Sequence, residues 1–365
     1  MRMVIILLKT YYSVDKQKLK QNIIKLKEKM CADRFFYAVK ANAEEPVMAT
    51  LAEEGIGFEI ASIEEFDRVK QNKEFNEKNI ICGLPVKPVA LIRSLYEYGV
   101  RYFVFDRIGE YYKLQENAPL SKKIVRLYVK DIDGESAEWG MQINDIICLI
   151  DAGYCIDGVS FHIPRNYQIK HIDKVMKRIE MVLSVSNKEM IVNVGGGYRP
   201  ELQKHLALRY DIDKFYTIYN GYLKDIKRRY GAVIYCEPGR GIVESACHIV
   251  AEVVLAEQSN DLYRIFLNIN IGSVVGSHPY RIMVIGTGEE ECIYSNEWHI
   301  DRNAEEKRIT TSFIDTICEY KIFFTLPLKR PLKQGEILRF EGMGAYTFSQ
   351  AYDFHCRKRI QYIED

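Results

Sequence analysis

Residues 35–61 read FFYAVKANAEEPVMATLAEEGIGFEIA. The run FFYAV (35–39) is apolar and aromatic, the composition of a buried strand. MATLAEEG (48–55) places Met48, Leu51 and Ala52 on one helical face and closes on Gly55, a favoured residue just past a helix end. FEIA (58–61) then starts a second strand. Strand, helix and strand in so short a stretch form one β/α unit, and the same pattern recurs down the chain. IIC (80–82), YFVF (102–105), IVRLYV (124–129), GVSFHI (158–163), MIVNV (190–194) and AVIYC (232–236) are further strand candidates, which makes eight. Amphipathic stretches such as IDKVMKRIEMVLSV (172–185) and KFYTIYNGYLKDIKRRYG (214–231) separate them. Eight alternations predict an α/β fold, a (β/α)8 barrel, in preference to a doubly wound open sheet, for which eight units are many.

Past residue 250 the helices stop. HIVAEVVLAEQ, YRIFLNINIG, YRIMVIG, ECIYSN, EYKIFFTLP and EILRFEG read as consecutive strands of a C-terminal all-β domain. The N-terminal VIILL (4–8) is expected to complete it, as a strand and not as a secretory leader: its apolar core is short and no small-residue cleavage site follows. The expected domains are a barrel over 12–250 and a β-domain made of 1–11 with 251–365. Composition limits the functions available. With 51 Lys+Arg against 50 Asp+Glu, the formal net charge is +1, so there is no basic field for nucleic acid. No apolar run approaches the roughly 20 residues of a membrane span. The 9 cysteines are scattered without C-x-x-C spacing, which supports neither a disulfide framework nor a zinc site and fits a cytoplasmic location; no metal is expected.

In a barrel the chemistry sits at the carboxyl ends of the strands. The first strand candidate ends at Lys40, the sixth at His162, the seventh runs into Gly195, Gly196 and Gly197, and the eighth into Glu237, Pro238, Gly239 and Arg240. Each alone has an ordinary reading: a solvated lysine, a hydrogen-bonded core histidine, a turn, a surface ion pair. Together they fit one ligand. A lysine amine answers an aldehyde, a glycine loop offers backbone N–H groups to a phosphate, and a carboxylate keeps a pyridine nitrogen protonated. Pyridoxal 5′-phosphate carries all three partners. A dinucleotide fingerprint G-x-G-x-x-G is absent.

The chain resembles the fold-type III pyridoxal-phosphate enzymes, the ornithine, arginine and diaminopimelate decarboxylases, with alanine racemase more distant. The resemblance rests on YAVKAN with GFEIAS, WGM (139–141), GVSFHI, NVGGGY, CEPGRG and GMGAYT, in that order. It implies a homodimer with shared active sites and the decarboxylation of an amino acid or amino-acid derivative. It also implies that Lys40 joins the cofactor in a Schiff base, Glu237 pairs with the ring nitrogen, and His162 stacks on the ring. Gly195 to Gly197, Gly239 and Arg240 line the phosphate site, Tyr346 reaches the phosphate, and Glu59 stands where the family usually has an aspartate.

The substrate side departs from the pattern. In TTSFIDTICEYK (310–321), Asp315 aligns with the acidic specificity position and Ile314 with the family's proton-donating cysteine, so that Cys318, four residues on, is one candidate acid and Lys40, water or another group are the alternatives. Arg165 replaces a small residue after the sixth strand and is expected to meet the substrate or the phosphate. The usual strand-five arginine looks displaced, Arg126 being out of phase. Changes confined to the substrate side point to an atypical substrate, a modified or carrier-linked amino acid. Two alternatives remain, a racemase or epimerase on the same fold and a noncatalytic cofactor-binding protein.

Overall fold

The computed structural model describes residues 10–72, 76–134, 138–163, 168–201, 211–259, 262–269, 278–286, 288–297, 308–316, 320–352 and 362–364. Two compact units emerge: Lys20–Ile242, and the residues before Lys20 together with those from Val243 onward. The boundaries thus lie at 19/20 and 242/243, against the expected 11/12 and 250/251.

The first strand, β1 (Tyr11–Val14), belongs to the second unit. The first unit is a closed parallel barrel of β2 (Arg34–Ala38), β3 (Gly57–Ile60), β4 (Ile80–Cys82), β5 (Tyr102–Phe105), β6 (Lys122–Arg126), β7 (Gly158–Ser160), β8 (Ile191–Asn193) and β9 (Val233–Cys236). Each expected strand is present. Closure falls between β9 and β2, where Arg34 pairs with Tyr235 and Phe35 with Cys236. The helices between strands have legible causes. Ser62 caps the helix Ile63–Lys70, its Oγ accepting the Glu65 N–H at 3.1 Å, and Glu65 Oε2 reaches back past the cap to accept the Ala61 N–H at 2.6 Å. Asp211 caps the helix Ile212–Tyr230, which ends on left-handed Gly231.

Two strand ends differ from expectation. IVRLYV stops at Arg126: the Leu127 N–H closes the last bond to Ser160 O of β7 at 2.8 Å, and its own pairing is an isolated bridge to Met141. GVSFHI stops at Ser160. Both side chains of interest, Arg126 and His162, therefore stand at or beyond a strand's carboxyl end.

The amino-terminal end of the barrel is closed by Arg34. Its guanidinium lies 4.9 Å from the Phe36 ring centre, 5.2 Å from that of Tyr102 and 5.3 Å from that of Tyr235. It donates to Lys78 O at 2.7 Å, Asn79 Oδ1 at 2.6 Å and the Tyr102 hydroxyl at 3.0 Å. Phe36, Ile81, Val104, Ile124, Ile191 and Tyr235 fill the interior beneath it.

The second unit is a mostly antiparallel sheet. Its further strands are β10 (Cys247–Ser259), β11 (Leu262–Leu267), β12 (Arg281–Ile285), β13 (Glu291–Ser295), β14 (Ile309–Ile314), β15 (Ile322–Leu328), β16 (Ile337–Glu341) and β17 (Tyr362–Glu364). The order is β13-β12-β16-β10-β11-β14-β15, with β1 pairing β10 and β17. The N-terminal contribution to the sheet among the described residues is Tyr11–Val14; VIILL lies outside them. β14 and β17 were not expected. β14 is the run ITTSFI, whose register Phe313↔Phe324 sets Phe313 in the core.

Arg34→Ala should destabilise the barrel by about 1–2 kcal/mol, since stacking on three rings and the part-buried hydrogen bonds to Asn79 and Tyr102 are lost. Urea unfolding followed by far-UV circular dichroism measures it; an unchanged midpoint would count against the plug.

Candidate active site

The barrel register sets the site. Ala38 of β2 pairs with Glu59 of β3, so the turn Val39–Ala41 carries Lys40 beside Glu59. Lys40 Nζ lies 3.0 Å from Glu59 Oε2; the lysine is half exposed and the carboxylate is buried. At the closing seam, the Ala38 N–H donates to Pro238 O at 2.9 Å. That bond ties the segment bearing Lys40 to the one bearing Glu237.

Glu237 follows β9. Its Oε1 accepts a 2.6 Å hydrogen bond from Asn193 Nδ2, and Asn193 Oδ1 in turn accepts the Gly195 N–H at 2.9 Å. Though it keeps some accessible surface, Glu237 is deep enough that burial pushes its carboxyl up to about 7, with the Glu59 charge adding to the rise; Asn193, Lys40 and Arg126 oppose it. The amide, the glycine loop and the carboxylate thus form one connected network across β8 and β9.

The glycines are required by space. Gly195 is left-handed, with φ +65°, and a Cβ there would come within 2.3 Å of Phe161 O; a Cβ on Gly196 would come within 2.3 Å of Glu237 O. Backbone therefore approaches backbone closely at the ends of β7, β8 and β9. The Gly196 N–H donates to His162 Nδ1 at 3.2 Å. A lone pair on Nδ1 leaves the ring proton on Nε2. Burial, with the Arg126 and Lys40 charges behind it, pulls His162 down to about 4, so its ring is neutral near pH 7. Beyond the loop, the Tyr198 hydroxyl donates to Val194 O at 2.9 Å and meets the Tyr219 hydroxyl at 2.9 Å. The loop is thereby fastened to the helix Ile212–Tyr230.

Arg126 is the residue that sequence reasoning misplaced. With the strand taken to run to Val129, it seemed out of phase. Because β6 ends at Arg126, it stands at the mouth, where its charge interacts with Glu237, Asp106 and Glu59, while burial lowers its own pKa. The signal available in sequence was the strand's length, not its phase. Asp106, buried just after β5, was also missed; its Oδ2 accepts the Gly140 N–H at 3.3 Å and so holds the WGM segment.

The structure thus brings together Lys40, Glu59, His162, Gly195, Gly196 and Glu237, with Gly197, Gly239 and Arg240 in the adjoining segments. Tyr346 and Asp315 belong to the second unit. Tyr346 is left-handed, with φ 61°, an uncommon state for a tyrosine, and its loop is held by the Met343 N–H on Cys247 O at 3.1 Å. Asp315 is buried after β14, its Oδ1 accepting the Lys321 N–H at 3.2 Å. Ile314 is buried as well. Arg165 and Cys318 lie outside the described residues. A separate cavity of about 340 Å³ opens at the opposite end of the barrel beside Lys27, Asp33 and Arg34; the Arg34 donors there are already engaged.

These residues fit pyridoxal phosphate. The donor set offers an amine, a carboxyl, a flat neutral ring and a glycine cradle that a Cβ would fill.

The raised Glu237 carboxyl has a stability consequence. Between its ordinary 4.5 and about 7, the folded chain keeps a proton that the unfolded chain releases, so the stability contributed by this group falls as pH rises through that window. Relative to Glu237→Gln, the cofactor-free wild type should lose stability from about pH 4.5 to about pH 7 and change little above. Urea melts across pH measure the difference; a constant difference would contradict the shift.

Comparison with known proteins follows the same line. The ornithine decarboxylase of Saccharomyces cerevisiae is 26% identical over 363 residues, covering 88% of this chain and 73% of that protein. The antizyme inhibitor 2 of Xenopus laevis is 25% identical over 348 residues, covering 88% and 73%. The solved arginine decarboxylase of Paramecium bursaria Chlorella virus superposes with a TM-score of 0.81 at 19% identity, covering 98% of this chain and 96% of that one. The family model "Pyridoxal-dependent decarboxylase, pyridoxal binding domain" matches residues 16–244. With that match over more than half its length, and with a barrel mouth built for pyridoxal phosphate, the chain belongs to the pyridoxal-phosphate-dependent decarboxylases of fold-type III.

Proposed function

We propose that the chain decarboxylates an amino acid, or an amino-acid derivative of unusual distal chemistry, with Lys40 as the residue that holds the cofactor. The observation that carries this reading is the Lys40–Glu59 pair beside the raised Glu237 carboxyl at one barrel mouth. When bound, pyridoxal phosphate supplies an electron sink for the pair left as the Cα–carboxylate bond breaks. The chain's residues do the rest. Glu237 holds a proton at the ring nitrogen. His162, neutral and fixed by Gly196, offers a flat uncharged face. Gly195 and Gly196, whose N–H groups go to Asn193 and His162, shape the phosphate cradle; Gly197, Gly239 and Arg240 bind the phosphate through backbone N–H groups and one guanidinium, with Tyr346 as a further phosphate contact. Glu59 orients the Lys40 amine. Arg126 balances Glu59, Glu237 and Asp106, so that the carboxylates share one space without expelling one another.

Asp315 and Arg165 are proposed to read the substrate's distal end, and Cys318 or Lys40 to return a proton to its Cα. The relatives named ornithine decarboxylase support a basic amino acid as the first class to test. The lost small residue at Arg165 and the Ile314 placement support a modified or carrier-linked one. A homodimer with shared sites and a cytoplasmic location complete the reading; the free thiols of Cys31, Cys82 and Cys236 accord with a reducing compartment. The relative named antizyme inhibitor 2 favours one competitor, a binding protein on the same fold.

Borohydride should fix a pyridoxyl group on the peptide containing Lys40, and Lys40→Ala should abolish the label; labelling retained in the variant refutes the assignment. Glu237→Gln should keep the cofactor yet slow carbon dioxide release from the best of a panel of basic amino acids by about 10²-fold. Carbon dioxide release from no member of that panel, or of a modified amino-acid panel, would favour the binding-protein reading. If the sites are shared, mixing inactive Lys40→Ala and Asp315→Ala chains should restore turnover.

A further inference from the structure

Gly83 follows β4, and its N–H donates to Ile60 O at 3.0 Å, which continues the β3–β4 ladder by one bond. Its backbone does not need glycine: Gly83 is absent from the residues with positive φ. Space is what demands it. A Cβ built there would lie 2.2 Å from Glu59 Oε1, 2.9 Å from its Cδ and 3.0 Å from its Cγ, and these are its three nearest atoms. The room left by the missing methyl is therefore occupied by the outer half of one side chain. That side chain's other oxygen, Oε2, is the one 3.0 Å from Lys40 Nζ.

We propose that Gly83 is a positioning residue for Lys40. By leaving its Cβ space empty, it lets the long Glu59 side chain lie over the end of β4 and present its second oxygen to the lysine amine. The position selects the length of the acid at 59: a glutamate fits with glycine at 83, and an added methyl at 83 calls for an acid one methylene shorter. In this role Gly83 acts through Glu59, whose atoms are the three nearest to its missing Cβ. The inference rests on the reading of Lys40 as the cofactor lysine for its meaning, but not for its test.

The test uses the cofactor-free protein. Trace reductive methylation with formaldehyde and a borane, read by peptide mass spectrometry, reports how much of the Lys40 amine is unprotonated. An opposed carboxylate keeps the amine protonated, so displacing Glu59 should quicken labelling. Gly83→Ala should accelerate Lys40 labelling at pH 8 by about threefold or more, approaching the rate of Glu59→Gln, and should shift the pH profile in the same sense. Glu59→Asp added to Gly83→Ala should return the profile toward wild type, a rescue that a merely structural glycine would not show. Wild-type labelling in a folded Gly83→Ala protein overturns the proposal. So does a double variant no better than the single one. If Gly83→Ala does not fold, the double variant must fold, because the clash is with Glu59 alone; failure of both also overturns it. Failure of the Lys40 reading itself would show separately, in the borohydride trapping.

Discussion

Two carboxylates, Glu59 and Glu237, are held at one barrel mouth together with Lys40 and Arg126, and the arrangement stands on their mutual compensation. Each acid alone would be costly to bury in ionised form. Glu59 is relieved by the lysine at 3.0 Å. Glu237 is relieved only in part by Asn193 at 2.6 Å, which is why its carboxyl rises to about 7. An acid poised near neutrality suits a group that must share a proton with a pyridine nitrogen. The parallel barrel makes the set possible: β2, β3, β6 and β9 end on the same side, so residues distant in sequence converge without any loop having to reach far.

Close packing of backbone supports this charge cluster. At Gly195 and Gly196, strand-end segments approach to distances that exclude any side chain, and the Gly196 N–H then fixes Nδ1 of His162 as the accepting nitrogen. Neutral His162 leaves Lys40 and Arg126 as the positive charges facing Glu59 and Glu237. A protonated imidazole in that place would compete with them.

Much of this was legible in the residues. The eight strands announced themselves because buried parallel strands are short, apolar and bounded by helices, and Lys40, His162, Gly195–Gly197 and Glu237 stood out as candidates because each lies close past a strand's carboxyl end. Arg126 was misread because an apolar run does not reveal where pairing stops: LYV continues the hydrophobic pattern while the ladder ends at Arg126. Strand β14 was read as a site-bearing segment because Asp315 and Cys318 drew attention to chemistry, and ITTSFI, buried from Thr311 to Ile314, lacks the alternation that marks a half-buried strand. Asp106 gave no signal; one acid after a strand is ordinary, and its contact with Gly140 depends on tertiary structure. The substrate was the least legible part, since distal recognition rests on a few side chains whose spacing carries no periodic pattern.

The account turns on Glu237 keeping a cofactor ring cationic. Protein loaded with pyridoxal phosphate labelled with ¹⁵N at the ring nitrogen tests this directly by NMR. A ring nitrogen that is protonated at neutral pH in the wild type and loses that proton in Glu237→Gln is the predicted result. A ring nitrogen that is unprotonated in the wild type, or indifferent to the substitution, would contradict it.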